Sequence, residues 1–375
     1  MTERERFITV MQFGQPDRIP LDPGSGRKST RERWLSEGLP ENVNNIAEYA
    51  YRQADGILEW PTGGSCFGLE ARMLPMFEEK VLEKLADSQI VQDWKGNVCE
   101  IGLEFSPEYL RNAIDFVTRR WIKCPVENRS DWEEMKKRYN PDDPARLPAN
   151  AQKLGEQLQQ REHPLVFHFS GPYWQLREWL GFEQLSMMFY DDPDFVREMI
   201  VFWNDYITRL MQNAFKYCIP DMVHISEDMA YKSYSMLSPV MCREFLLPVW
   251  QKWGEVIRAH NIPLYAVDSD GFIGELIPLW IEAGVNVCDP IEVAAGNDIV
   301  DFRKRFGKNM AYRGGVDKRA IAKGGISIEN EIRRLEPVIR DGGFIPGCDH
   351  GVPHDVSWLD YVNYVRLLAK VTGWL

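Results

Sequence analysis

The chain has 375 residues, 44% hydrophobic and 27% charged, the balance of a soluble globular protein with a large core. Its 44 basic and 56 acidic residues leave a net charge of −12, which argues against a nucleic-acid partner, because a phosphate backbone needs a basic footprint. Apolar runs such as MIVFW at 199–203 are too short to span a bilayer, and the charged start MTERERF has no signal-peptide core, so a cytoplasmic protein without a membrane partner is expected.

Taken in order, short apolar runs that end in polar residues alternate with helical patterns. The runs are IPLDP at 19–23, DGILEWP at 55–61, VFHFS at 166–170 and DMVHISED at 221–228. LYAVDSD at 264–270, VNVCDPIE at 285–292, AYRGGVD at 311–317 and FIPGCDH at 344–350 follow. Between the second and third, QIVQDWKGNVCEI at 89–101 reads as two strands around a turn at Lys95-Gly96-Asn97. The proline-rich stretch RYNPDDPARLP at 138–148 reads as a connection and not as a domain boundary. Asp192-Pro193 and Ser238-Pro239 are helix starts, and Gly284 and Gly307 are helix stops.

Eight strands alternating with helices point to an α/β protein of the (β/α)8 TIM barrel type. It would carry an N-terminal helical extension and a β-hairpin insert at about 88–102, in a single domain spanning 1–375. A doubly wound open sheet is the alternative, but the G-x-G-x-x-G phosphate loop it favours is missing.

In such barrels the chemistry gathers at the C-terminal ends of the strands. The runs deliver Asp22, Glu59, His168, His224, Glu227, Asp228, Asp268 and Asp270 to that rim. Asp289, Glu292, Arg313, Asp317, Cys348, Asp349 and His350 complete it. Crowded carboxylates raise one another's pKa or recruit a cation. Many of these residues have structural readings too. His168 and His224 fit rim packing, Asp317 fits a helix N-cap, and Arg313 fits a pin for a carboxylate. The thirteen tryptophans fit the core better than a cofactor box.

Asp268 and Asp270 leave a strand two residues apart and can face one ligand if the chain turns at Gly271. With Cys348 they make a mixed oxygen and sulfur set that suits zinc, or else a hydrogen-bonded carboxylate network. The other six cysteines, at 66, 99, 124, 218, 242 and 288, show no C-x-x-C pairing and read as reduced thiols.

These residues lie in segments that resemble the uroporphyrinogen decarboxylase superfamily. RERFITVMQFGQPDRIPLDP, FSGPYWQLREWLGFEQL, FYDDPDFVREMI and EDMAYKSYSMLSPVMCREFLLP follow its order. DSDGFIGELIPLWIEAGVN, YRGGVDKRAIAKG and GGFIPGCDHGVPHDVSW continue it, so the resemblance covers nearly the whole chain. It implies the barrel independently of the strand count.

Two chemistries are implied. The decarboxylases of porphyrinogens use no cofactor and hold an eightfold carboxylated substrate through an R-Q-A-G-R segment. Here DPGSGRKSTRERW, with Arg27 and Lys28, lacks that motif, while His350 in DHGVP matches the late G-H-G. The corrinoid-dependent methyltransferases carry zinc on an H-x-C pair and a later cysteine. Those positions fall on Asp268, Asp270 and Cys348. Carboxylates in place of imidazole and thiolate favour oxygen as the activated atom.

The reading is therefore a methyltransferase moving a methyl group from a small donor, a methyl ether being favoured, to cobalamin carried by a partner corrinoid protein. Zinc at Asp268, Asp270 and Cys348 would act as Lewis acid, with His350, Glu227 and Asp268 in proton chemistry. His168, His224, Tyr173, Glu292 and Arg313 would contact the substrate, and Trp60 and Trp174 would help Tyr173 to wall its pocket. A cofactor-free decarboxylase is the alternative, and a corrinoid-binding barrel without catalysis is a third.

Overall fold

The computed structural model describes residues 1–115 and 117–375. Among them are ten strands. β1 (Lys80–Lys84), β2 (Ser88–Gln92), β3 (Val98–Gly102) and β4 (Arg120–Lys123) come first, then β5 (Val166–Ser170), β6 (Met222–Ser226) and β7 (Leu264–Asp268). β8 (Val287–Asp289), β9 (Ala311–Val316) and β10 (Phe344–Cys348) complete the set. The chain divides into two compact units. One comprises Met1–Phe67, Asn150–Phe169 and Phe215–Leu375; the other comprises Gly68–Ala149 and Ser170–Ala214.

The first unit carries the barrel. Its parallel sheet has the order β10-β9-β8-β7-β6-β5, each strand beside its predecessor in sequence. Helices at Leu247–Ala259, Ile277–Ala283, Ile299–Phe306 and Ile326–Asp341 make the crossovers. β10 is buried throughout, and β6 and β7 are buried in all but their last residue, the pattern of strands covered on both faces.

The expected punctuation is in place. Ser238 accepts from the Met241 amide at 3.2 Å, and Asp192 accepts from the Phe195 amide at 3.1 Å. Gly284, at φ 90°, ends its helix in the left-handed conformation that glycine adopts without strain.

Six of the eight expected strands are hydrogen-bonded strands; the first two are not. Pro20 and Pro23 remove two amide donors from the run at 19–23. That run still lies beside β10, because a Cβ added to Gly347 would stand 2.4 Å from the Asp22 carbonyl oxygen. In the run at 55–61, Arg52 donates to the carbonyls of Gly56 and Leu58, and the Leu58 amide donates to the Tyr51 hydroxyl. Side chains thus take the place of a ladder. The chain then reaches Phe67, whose ring stacks on Phe167 of β5 at 5.8 Å. The first irregular run thus flanks the β10 edge of the six-stranded sheet, and the chain that follows the second reaches the β5 edge at Phe67.

The N-terminal end of the strands is closed by the helix Glu3–Met11. Thr2 and Glu5 form a reciprocal capping box that starts it. Its Phe7, Val10 and Met11 pack against Met222, Leu264, Val287, Ala311 and Ile345, all buried. Burial of this kind contributes about 1.5–3 kcal/mol per large apolar side chain. With that end plugged, the C-terminal ends are left for chemistry.

The second unit contains the antiparallel sheet β1-β2-β3-β4. The expected hairpin is its centre, with Ser88 opposite Gly102 and Gln92 opposite Val98. Asp93 Oδ1 accepts from the amides of Lys95 and Asn97, and Gly96 takes φ 88° in the turn. The flanking strands β1 and β4 escape the sequence reading because KVLEK and RWIK are exposed on both faces and show no alternation. Among the described residues, no helix is long and apolar enough to cross a membrane.

Candidate active site

The site is assembled by strand register. Ser226 of β6 pairs with Asp268 of β7, and Asp268 pairs with Asp289 of β8. The Ser226 hydroxyl donates to Asp268 Oδ2 at 3.1 Å. Beside them runs a chain of polar groups. His168 Nδ1 lies 3.3 Å from His224 Nδ1, and His224 Nε2 lies 2.9 Å from Asp289 Oδ1. Arg313 Nη1 donates to Asp289 Oδ2 at 3.2 Å, and its Nη2 donates to Asp22 Oδ2 at 3.3 Å.

These neighbours set the charges. Burial pushes the Asp268 carboxyl up and the Asp289 carboxylate pushes it further, to about 7, against the opposing pull of His224. Burial acts in the same direction on Asp289, but His224 and Arg313 outweigh it and hold Asp289 below the usual carboxylate range. Burial opposes protonation of His224, yet Asp289 and then Asp268 win and raise it. His168 keeps an exposed face, but the crowded mouth removes much of its water, and with His224 this lowers it to about 4.

A second group forms after β7 and β10. His350 Nε2 stands 3.4 Å from Asp270 Oδ2, and that carboxylate raises the imidazole. Gly271, at φ 79°, makes the expected turn, and a Cβ there would stand 2.4 Å from the Ala230 carbonyl oxygen. Glu292 Oε2 accepts from the Gly271 amide at 3.2 Å and Oε1 from Lys318 Nζ at 2.8 Å. Asp349 is wholly buried and accepts from the amides of Val293 and Lys318.

The profile of the uroporphyrinogen decarboxylase (URO-D) family matches residues 109–365, more than two thirds of the chain. The chain belongs to the uroporphyrinogen decarboxylase family. Among solved structures, a methyltransferase from Methanosarcina mazei superposes with a TM-score of 0.57 at 12% identity, over 99% of each chain. A B12-independent methionine synthase from Shewanella sp. W3-18-1, in complex with selenomethionine, gives a TM-score of 0.39 at 11% identity, over 60% of this chain and 64% of that one. Comparison with curated proteins gives no match.

Within this family member, the zinc set expected at Asp268, Asp270 and Cys348 is not brought together. Among the described residues, no three His, Cys, Asp or Glu side chains cluster so as to hold a metal ion. Asp268 is engaged by Ser226, and Asp270 stands with His350. Cys348 is buried, and burial, then Asp349, pushes its thiol up to about 12. The residues as placed do not fit the metal.

Other expected residues have different roles in the structure. Glu227 has no exposed surface and accepts from the Trp250 indole at 2.5 Å, so it offers nothing to a substrate. Glu292 staples the turn at Gly271 to Lys318. Trp60 is buried against Tyr51 and Trp374, as core. Tyr173, 2% exposed, and Trp174 belong to the second unit. Asp317 caps its helix by accepting from the Arg319 amide. Ser226 and Lys318 are not among the residues expected at the rim, and Asp289 is expected there without a role. Their only signal in the sequence is position at a strand end, because lateral register between parallel strands leaves no trace in a single chain's pattern.

Proposed function

We propose that this family member is a methyltransferase that takes a methyl group from an oxygen atom, a methyl ether being favoured, and passes it to a corrinoid carried by a partner protein. The observation that carries the reading is Asp268: a half-buried carboxyl pushed up to about 7 beside Asp289, in a mouth rich in carboxylates and histidines. Such a group is still partly protonated near pH 7 and can donate that proton to an oxygen that leaves with negative charge.

The partner's corrinoid supplies the nucleophile for the methyl carbon. This chain binds the methylated molecule at the strand ends, and its proton donors stabilise the departing oxygen. Asp268 is one donor. His350, raised by Asp270, is a second. Acid catalysis takes the role that a Lewis acid would have, since the side chains present form donors and not a ligand set.

A porphyrinogen substrate fits this mouth less well. Arg313 is bound to Asp289 and Asp22, and Lys318 is bound to Glu292. A molecule with many carboxylates needs several charge-assisted partners of its own.

The test offers purified protein a cob(I)alamin protein and a panel of methyl ethers, methylamines and methyl thiols, and follows the corrinoid spectrum. Methylation by ethers supports the reading. Methylation only by thiols overturns the oxygen assignment. Conversion of uroporphyrinogen without any methyl transfer makes the protein a decarboxylase, and corrinoid binding without turnover makes it a carrier.

A further inference from the structure

Two imidazoles in contact at Nδ1 are an unusual element of this mouth, and hydrogen-bond counting restricts their protons. Asp289 receives His224 on Oδ1 and Arg313 on Oδ2. A carboxylate only accepts, so His224 Nε2 carries a proton. At the other end, His224 Nδ1 and His168 Nδ1 are 3.3 Å apart. Two bare nitrogens, or two protonated ones, would repel at that distance, so one of the pair carries the proton. Among the described residues, His168 Nε2 has no hydrogen-bond partner, and the ring is exposed.

Two arrangements remain. If His168 Nδ1 holds the shared proton, His168 Nε2 is a bare acceptor with both rings neutral, or is protonated with the charge on His168. If His224 Nδ1 holds it, His224 is an imidazolium and His168 is neutral with its proton on Nε2. The surrounding charges decide between them. His224 touches Asp289 and lies near Asp268, while Arg313 disfavours a charge on either ring. A positive charge therefore belongs on His224, against its carboxylate.

We infer that Asp289, His224 and His168 form a proton relay in which His168 presents an Nε2–H donor to the substrate and His224 replaces the proton it gives up. This rests on the proposed function for the identity of the acceptor, the oxygen of the methyl donor. When the carbon–oxygen bond breaks, the oxygen keeps the electron pair and takes its proton from His168 Nε2, while Asp268 and His350 act on it as hydrogen-bond donors that keep theirs. His168 Nδ1 takes the proton of His224 Nδ1. His224 ends neutral, with its Nε2–H still on Asp289. One proton moves along two imidazoles and no other group changes charge. Asp289 is a positioning residue, because it acts only through the tautomer and charge of His224.

The full chain labelled with 15N-histidine tests this, since its six histidines can be assigned with His168→Gln and His224→Gln variants. At neutral pH both nitrogens of His224 should carry protons, and His168 should carry one, on Nε2. Asp289→Asn should strip the Nδ1 proton from His224 and move the His168 proton to Nδ1. A wild-type His168 protonated on Nδ1 overturns the relay, whatever the substrate, and that measurement does not depend on whether the variant folds. With a methyl donor in hand, His168→Phe should lower kcat by at least about a hundredfold, the scale of a lost proton donor, with KM little changed. An unchanged kcat would also overturn it. Failure of methyl transfer with every donor overturns the proposed function alone, because the protonation sites are read without turnover.

Discussion

Asp268 and Asp289 are register partners on adjacent parallel strands, so two carboxyl groups stand side by side at one mouth. They do not share the charge equally. Among the described residues, Asp289 holds both His224 and Arg313, and Asp268 holds only the Ser226 hydroxyl. One is kept ionised and the other is pushed towards its neutral form.

That asymmetry predicts a pH dependence of stability. In the folded protein Asp268 titrates at about 7, above the 3.8 of an ordinary aspartate. Between these values the native state holds a proton that the unfolded state has lost, so stability falls as pH rises through the window. The loss is at most about 4 kcal/mol, from about 1.4 kcal/mol per unit. Asp268→Asn cannot ionise. Its stability in urea should gain on that of the wild type as the pH is raised from 4 to 7. Parallel curves across that range would show that Asp268 is not perturbed.

Arg313 is the cation on which two carboxylates depend. Arg313→Met leaves Asp289 with His224 alone and Asp22 with no cation from this pair. Breaking a fully buried pair from one side costs about 3–5 kcal/mol, and the half-buried Arg313–Asp289 pair should cost less, about 1–3 kcal/mol. Denaturant melts should show a loss of that order. A double variant that also carries Asp289→Asn should recover part of it, and full additivity would deny the coupling.

Glu227 should separate structure from chemistry. Its carboxylate holds the Trp250 indole, and Glu227→Gln keeps an acceptor there. That variant should retain methyl transfer within about twofold. Glu227→Leu should lose about 1–3 kcal/mol of stability, because it leaves a buried indole N–H unpaired. A large drop in turnover for the glutamine variant with normal stability would restore Glu227 to the proton chemistry.

Thiol reactivity gives a fourth check. Cys66 is exposed, whereas Cys348 is buried, with its thiol pushed up to about 12. Iodoacetamide at pH 8 should modify Cys66 and spare Cys348 until the protein unfolds, as read by peptide mass spectrometry. Purified protein should hold well under one zinc per chain, and Cys348→Ser should not alter that figure. One zinc per chain, lost in the variant, would mean that the ligands move together on binding.

The sequence by itself determined the barrel and the end of it that carries polar groups. Apolar runs closing on Asp268, Asp289 and Cys348 are a local pattern, and local patterns survive in one dimension. The hairpin at 88–102 was legible for the same reason, because its turn chemistry and its alternation sit within a few residues. Tertiary structure alone decided which polar groups touch. Whether Asp268 meets Cys348 or Ser226, and whether Glu227 faces a substrate or Trp250, depends on lateral register and on which side of a strand faces the mouth. A one-residue change in register reverses the faces. The contact between His168 and His224 joins residues 56 positions apart, through a pairing that neither run encodes alone. Two aspartates at metal-ligand spacing are indistinguishable in sequence from two aspartates with different partners. The fold separates them, because burial and neighbouring charge act through space.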